Sequence, residues 1–135
     1  MEKHLVYNFS GELDDISHLF PNERLARLAA LGAREGVSVA LVDRANLDDL
    51  QRVGPEYMEC LGGLAFGASA EPYASGVRDE AERLLDGGCT TVFLNLWHGT
   101  GFKFTVDLAR ELRRRAPRLR MYGVGQKVDW YKEHI

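Results

Sequence analysis

The feature that most constrains this chain is an alternation. Four short apolar segments, residues 4–9 (HLVYNF), 37–43 (VSVALVD), 91–97 (TVFLNLW) and 119–124, are separated by stretches with helical spacing. Each segment is short, apolar and bounded by turn residues, so each reads as a buried strand. After the first, Pro21 can occupy the opening turn of a helix, where its missing N–H costs little. Leu25, Leu28, Ala29 and Gly32 follow at i, i+3, i+4 and i+7, one helical face, and Gly36 is a natural stop. A strand, a helix and a strand within about forty residues make a βαβ unit. Repeating that unit implies an α/β fold with a mainly parallel sheet of four or five strands, covered on both faces in three αβα layers.

The later helices follow the same logic. Glu71 and Pro72 start one whose face carries Val77, Ala81, Leu84 and Leu85, and Gly87-Gly88 ends it. Gly99-Thr100-Gly101 reads as the exit loop of the third strand. Phe104, Leu108 and Leu112 make the core stripe of the next helix, with Arg110 and Arg113 to Arg115 outward, and Pro117 ends it. Asn46 could cap a short helix through Leu50, and residues 128–135 read as a final helix. Residues 56–66 are consistent with either a helix or a strand.

Composition narrows the function classes. In 135 residues, 45% are hydrophobic and 27% charged, which excludes a mostly disordered chain. No apolar run approaches the roughly 18 residues of a membrane span, and residues 1–11 have no signal-peptide core. The two cysteines, Cys60 and Cys89, form no CxxC pair and imply no disulfide framework, which fits a cytoplasmic setting. Residues 102–135 carry 9 Lys/Arg against 4 Asp/Glu, and the rest carry 8 against 16. That asymmetry reads as a basic helix docked on an acidic neighbour. No groove-reading motif accompanies it, so nucleic acid is not expected as a partner.

A doubly wound sheet binds ligands beyond the carboxyl ends of its strands, where strand order reverses. The loops at those ends are therefore the ones that can carry chemistry. Two are glycine-rich, WHGTG at 97–101 and GVGQK at 123–127, but neither is a phosphate fingerprint and either could be a tight turn. Asp43 closes the second strand, where it could meet a ligand hydroxyl or cap the next loop. His98 has no acid or cysteine near it in sequence, and His18 follows Asp14 and Asp15 without a metal-ligand spacing. No catalytic residue and no metal site are expected. Trp97 and Trp130 are flat apolar surfaces that could line a cleft or seal the core.

Two stretches carry a resemblance: FPNERLARLAALGAREGVSVALVDRANLDDL from residue 20, and VFLNLWHGTGFKFTVDLARELRRRAPRLRMYGVGQKVDW from residue 92. Together they resemble the N-terminal cobalamin-binding domain of class B radical S-adenosylmethionine proteins, the family of the anaerobic magnesium-protoporphyrin monomethyl ester oxidative cyclase. The resemblance implies a flavodoxin-like, Rossmann-type sheet with a corrin ring over its carboxyl edge. The family's Ser-x-Leu segment at the end of a central strand corresponds to Asn95-Leu96-Trp97, with Asn95 in place of the serine. Its Gly-Gly pair corresponds to Gly123-Val124-Gly125, split by a valine. The family's small residues let the nucleotide tail pass close to the backbone.

The cobalt-ligating Asp-x-His-x-x-Gly of other cobalamin domains has no match in spacing at Asp14, Asp15 and His18. The CxxxCxxC motif of a radical domain is also missing. Residues 1–135 are therefore expected to be a single N-terminal module of a longer radical SAM protein. S-adenosylmethionine and its 4Fe-4S cluster would belong to the downstream domain. The expected pocket residues are Asn8, Ser10, Asn95, Trp97, His98, Gly99, Thr100, Gly123, Gly125 and Gln126. Two alternatives stand beside this reading: a docking domain of the same fold that has lost its cofactor, and a small nucleotide-binding enzyme using His98 and Asp43.

Overall fold

The computed structural model describes residues 2–9, 23–44, 71–96, 99–125 and 128. In chain order its elements are β1 (Lys3–Asn8), α1 (Glu23–Arg34), β2 (Ser38–Asp43), α2 (Glu71–Asp86), β3 (Thr91–Asn95), α3 (Gly99–Arg115) and β4 (Arg120–Val124). The four strands form one parallel sheet in the order β2-β1-β3-β4, a flavodoxin-like arrangement. Asn8 stands beside Asp43 in the register, and Asn95 beside Val124. The expected elements at 46–50, 56–66 and 129–135 lie outside the described residues.

Strand alternation explains the layers. Leu5, Tyr7 and Phe9 of the β1 segment, with Val92 and Leu94 of β3, form one buried cluster with Tyr73, Val77, Ala81 and Leu84 of α2 and Phe104, Leu108 and Leu112 of α3. Phe9 packs against Phe104 with ring centroids 4.5 Å apart and planes tilted by 44°. Val6 and Asn8 point the other way, to the side of α1, where Gly32 sits so close to Val39 that an added Cβ would meet Val39 Cγ2 at 2.5 Å. Of the α1 stripe only Leu25 is buried; Leu28 is exposed, contrary to its place in the helical pattern.

Helix ends follow their sequence signals. Gly36 adopts φ +74°, with its N–H donating to Ala33 O and the next N–H, of Val37, to Gly32 O. This pairing of 5→2 and 6→1 bonds is a Schellman cap, and a Cβ would strain it. Gly88 (φ +69°) plays the same part after α2, its N–H donating to Leu85 O. One boundary differs from expectation. Gly99-Thr100-Gly101 is the first turn of α3 rather than a loop. First-turn residues need no intrahelical partner for their N–H groups, and Thr105 Oγ1 donates to Gly101 O at 2.7 Å, holding the turn closed.

Candidate functional site at the carboxyl edge of the sheet

Chain order reverses about β1: the chain reaches β2 on one side of it and β3 on the other. The crevice rule for such sheets points to the ends of β1 and β3, and each of these strands ends in asparagine. Asn8 is 4% exposed and Asn95 5%. Carboxamides this deeply buried must find partners or pay the full cost of desolvation. They find each other. Asn8 Nδ2 donates to Asp43 Oδ1 at 2.8 Å, and Asn95 Nδ2 donates to Asn8 Oδ1 at 2.6 Å. Asp43, Asn8 and Asn95 thus form a ladder across the ends of three adjacent strands.

The end of β4 completes this edge. Gly125 adopts φ +105°, and a Cβ there would collide with Asn95 Oδ1. Glycine is required twice over, by the backbone and by the packed carboxamide. A Cβ on Gly123 would lie 3.1 Å from Leu96 Cδ1. The space beside both glycines is therefore occupied by neighbours from the end of β3.

Below the ladder, a charged clamp joins the edge to α2. Arg44 N donates to Asn8 O at 2.8 Å, and the Arg44 guanidinium grips Glu80 through Nε–Oε1 at 2.7 Å and Nη2–Oε2 at 3.2 Å. Both side chains are largely buried, Glu80 almost completely. Arg83 approaches the same carboxylate at 3.4 Å.

A second polar cluster lies on the outer seam of α2 and α3. Asp107 accepts from Lys103 (2.6 Å), Tyr73 (2.7 Å) and Arg110 (3.0 Å), and Lys103 Nζ sits 4.5 Å from the Tyr73 ring centroid. Burial alone would push the Asp107 carboxyl up, but the hydrogen bonds from Lys103 and Tyr73 and the lysine charge hold it below the usual range. Hydrogen bonds from Arg114 and then Arg115 hold Glu111 down to about 2. The open groove here, about 510 Å³, is rimmed by Arg78, Arg110 and Arg114. Each of these is paired within its own helix, to Glu71, Asp107 and Glu111. Its charges are balanced, so the groove reads as a helix seam.

The structure therefore brings Asn8, Asn95 and Gly125 of the expected pocket into contact, with Gly123 beside Leu96. Gly99 and Thr100 stand in the first turn of α3. Ser10, Trp97, His98 and Gln126 lie outside the described residues, as do Asp14, Asp15 and His18. Asp43 faces Asn8 and orders the edge. Arg44 and Glu80 had no signal in the sequence, since nothing links residues 36 apart. Among the described residues no group of three His, Cys, Asp or Glu side chains could hold a metal, and no helix is long and apolar enough to cross a membrane. Comparison with models of known families, with curated proteins and with solved structures finds no match.

Proposed function

We propose that this domain is a cofactor-binding module whose ligand occupies the crevice over the ends of β1 and β3, and that the ligand is a cobalamin. The observation that carries this reading is the pair of buried carboxamides, Asn8 and Asn95, at the point where strand order reverses. Two neutral carboxamides suit a neutral, amide-bearing ligand better than a phosphate. The described edge has one guanidinium, Arg44, and Glu80 engages it. Corrin side chains are amides of that kind. Asn95 also stands where the resemblance places the family's serine.

In this reading Asn95 meets the ligand, Asn8 holds Asn95 in place, and the apolar layer beneath excludes water. A bound corrin would supply redox or group-transfer chemistry through its cobalt. S-adenosylmethionine and its iron–sulfur cluster would belong to a downstream radical SAM domain. The domain itself performs no catalysis. The test is a titration of the purified chain with hydroxocobalamin, read by absorbance and calorimetry. The expected result is saturable binding, weakened about tenfold or more by Asn95→Leu, a change of about 1.4 kcal/mol. A flat titration into the high micromolar range overturns the cobalamin reading.

A second reading draws on the glycines. Leu96 and Asn95 occupy the space beside Gly123 and Gly125, where the resemblance has the nucleotide tail pass. That favours a docking domain which keeps the fold without the cofactor. Failure to bind hydroxocobalamin, together with association with the radical SAM domain, would support it.

A further inference from the structure

A carboxamide has a donating end and an accepting end, so a chain of carboxamides has a direction. Left to themselves, Asn8 and Asn95 could pair either way round. Asp43 removes the choice, because an ionised carboxylate only accepts. Asn8 must turn Nδ2 toward Asp43, which leaves its Oδ1 facing Asn95. Asn95 must then turn Nδ2 toward Asn8, which sends its own Oδ1 to the far end, against Gly125. No described residue donates a hydrogen bond to that oxygen. Gly125 contributes no side chain beside it.

We infer that Asp43 is a positioning residue that sets the direction of this ladder, so that Asn95 Oδ1 faces the crevice as an acceptor and selects ligand groups that donate, such as amide N–H or an exocyclic amine. The selection rests on the reading of the crevice as a ligand site; the direction of the ladder does not. A carbonyl or carboxylate presented to the same oxygen would meet like polarity.

The direction is tested without any ligand. In isotope-labelled protein, scalar couplings across the hydrogen bonds should run from Asn8 Nδ2 to the Asp43 carboxylate carbon, and from Asn95 Nδ2 to the Asn8 carboxamide carbon. Exchange variants give a second reading. Asn95→Asp alone sets a carboxylate against Asn8 Oδ1 and should lower the denaturation midpoint. Adding Asp43→Asn lets the ladder run backwards with both of its hydrogen bonds kept, so the double variant should recover most of the loss. Residues that merely fill space would show no such rescue. Couplings in the opposite sense, or a double variant no more stable than Asn95→Asp, overturn the inference.

Selectivity is tested with two matched pairs of probes. Dicyanocobinamide carries amide side chains and cobyrinic acid carboxylates; adenosine carries an amine where inosine carries a carbonyl. The expected result is a preference of about tenfold or more for the donating member of at least one pair, reduced in Asp43→Asn. No preference in either pair, whether through equal binding or none, overturns the selectivity. Couplings in the stated direction without corrinoid binding would place that failure on the cobalamin reading rather than on the ladder.

Discussion

Beneath α2 and α3, helical periodicity and burial agree: Tyr73, Val77, Ala81, Leu84, Phe104, Leu108 and Leu112 are all buried. Along α1 they part. Leu25 is buried, whereas Leu28 is 45% exposed, Leu31 46% and Val37, just past the helix, 40%. The helices differ in what they face. α2 and α3 pack against each other and against the two central strands, β1 and β3, so their stripes are covered from two directions. α1 packs against β2, the strand at the margin of the sheet among the described residues. Periodicity tells which way a side chain points; how deep it lies depends on what stands opposite.

The sharpest way to break this comparison is to truncate one leucine on each side. Leu108→Ala removes a fully buried side chain and should cost about 3–5 kcal/mol. Leu28→Ala should change stability by less than about 0.5 kcal/mol. Equal shifts in urea denaturation would mean that the exposed side of α1 is covered in solution. Charge pairs should divide in the same way. Glu80→Ala removes both hydrogen bonds of a largely buried guanidinium–carboxylate pair and should cost about 3 kcal/mol. Glu23→Ala, which breaks the exposed Arg27–Glu23 pair, should cost under about 0.5 kcal/mol.

Glycines sharpen the contrast further. Gly36→Ala pays for a left-handed backbone in open space, about 1 kcal/mol. Gly125→Ala pays a similar backbone cost and also displaces the Asn95 carboxamide, for about 2 kcal/mol or more by thermal melting. The last contrast is one of pH. Glu111 titrates at about 2 when folded and near 4.5 when unfolded. The folded value is the lower, so the stability this carboxylate confers is whole above about 4.5 and lost as pH falls through about 2. Glu111→Gln should flatten that part of the stability–pH curve; an unchanged slope would mean that the arginines do not hold the carboxylate in solution.

Much of the fold was legible because strands and caps are local signals. VSVALVD, TVFLNLW, Gly36 and Gly87-Gly88 mark elements through their own residue types, and the observed elements match them to within a few residues. The start of α3 was missed because a glycine-flanked threonine has the chemistry of a loop, and only the Thr105–Gly101 bond shows that the turn is helical. At the site, Asn8 and Asn95 could be singled out, since each is a polar residue closing an apolar strand. Their pairing could not, because 87 residues separate them and only the strand order brings them together. The Arg44–Glu80 clamp was invisible for the same reason, with no neighbouring residue to mark either partner.

The strand order also sets a timetable for folding. β1 meets β2 across 35 residues of chain and β3 across 87. On a ribosome the β1–α1–β2 unit emerges first, and its helix adds little beyond Leu25 to the buried surface. Tyr7 and Phe9, wholly buried in the finished domain, must wait for α2, β3 and α3. At translation rates of about 5–20 residues per second, the roughly fifty residues between the ends of β2 and β3 take several seconds to appear. For that interval one edge of β1 is unpaired by β3, and its apolar face lacks the helices that will cover it. The most protected part of the native domain is thus the part most open to aggregation and to chaperones while the chain is being made.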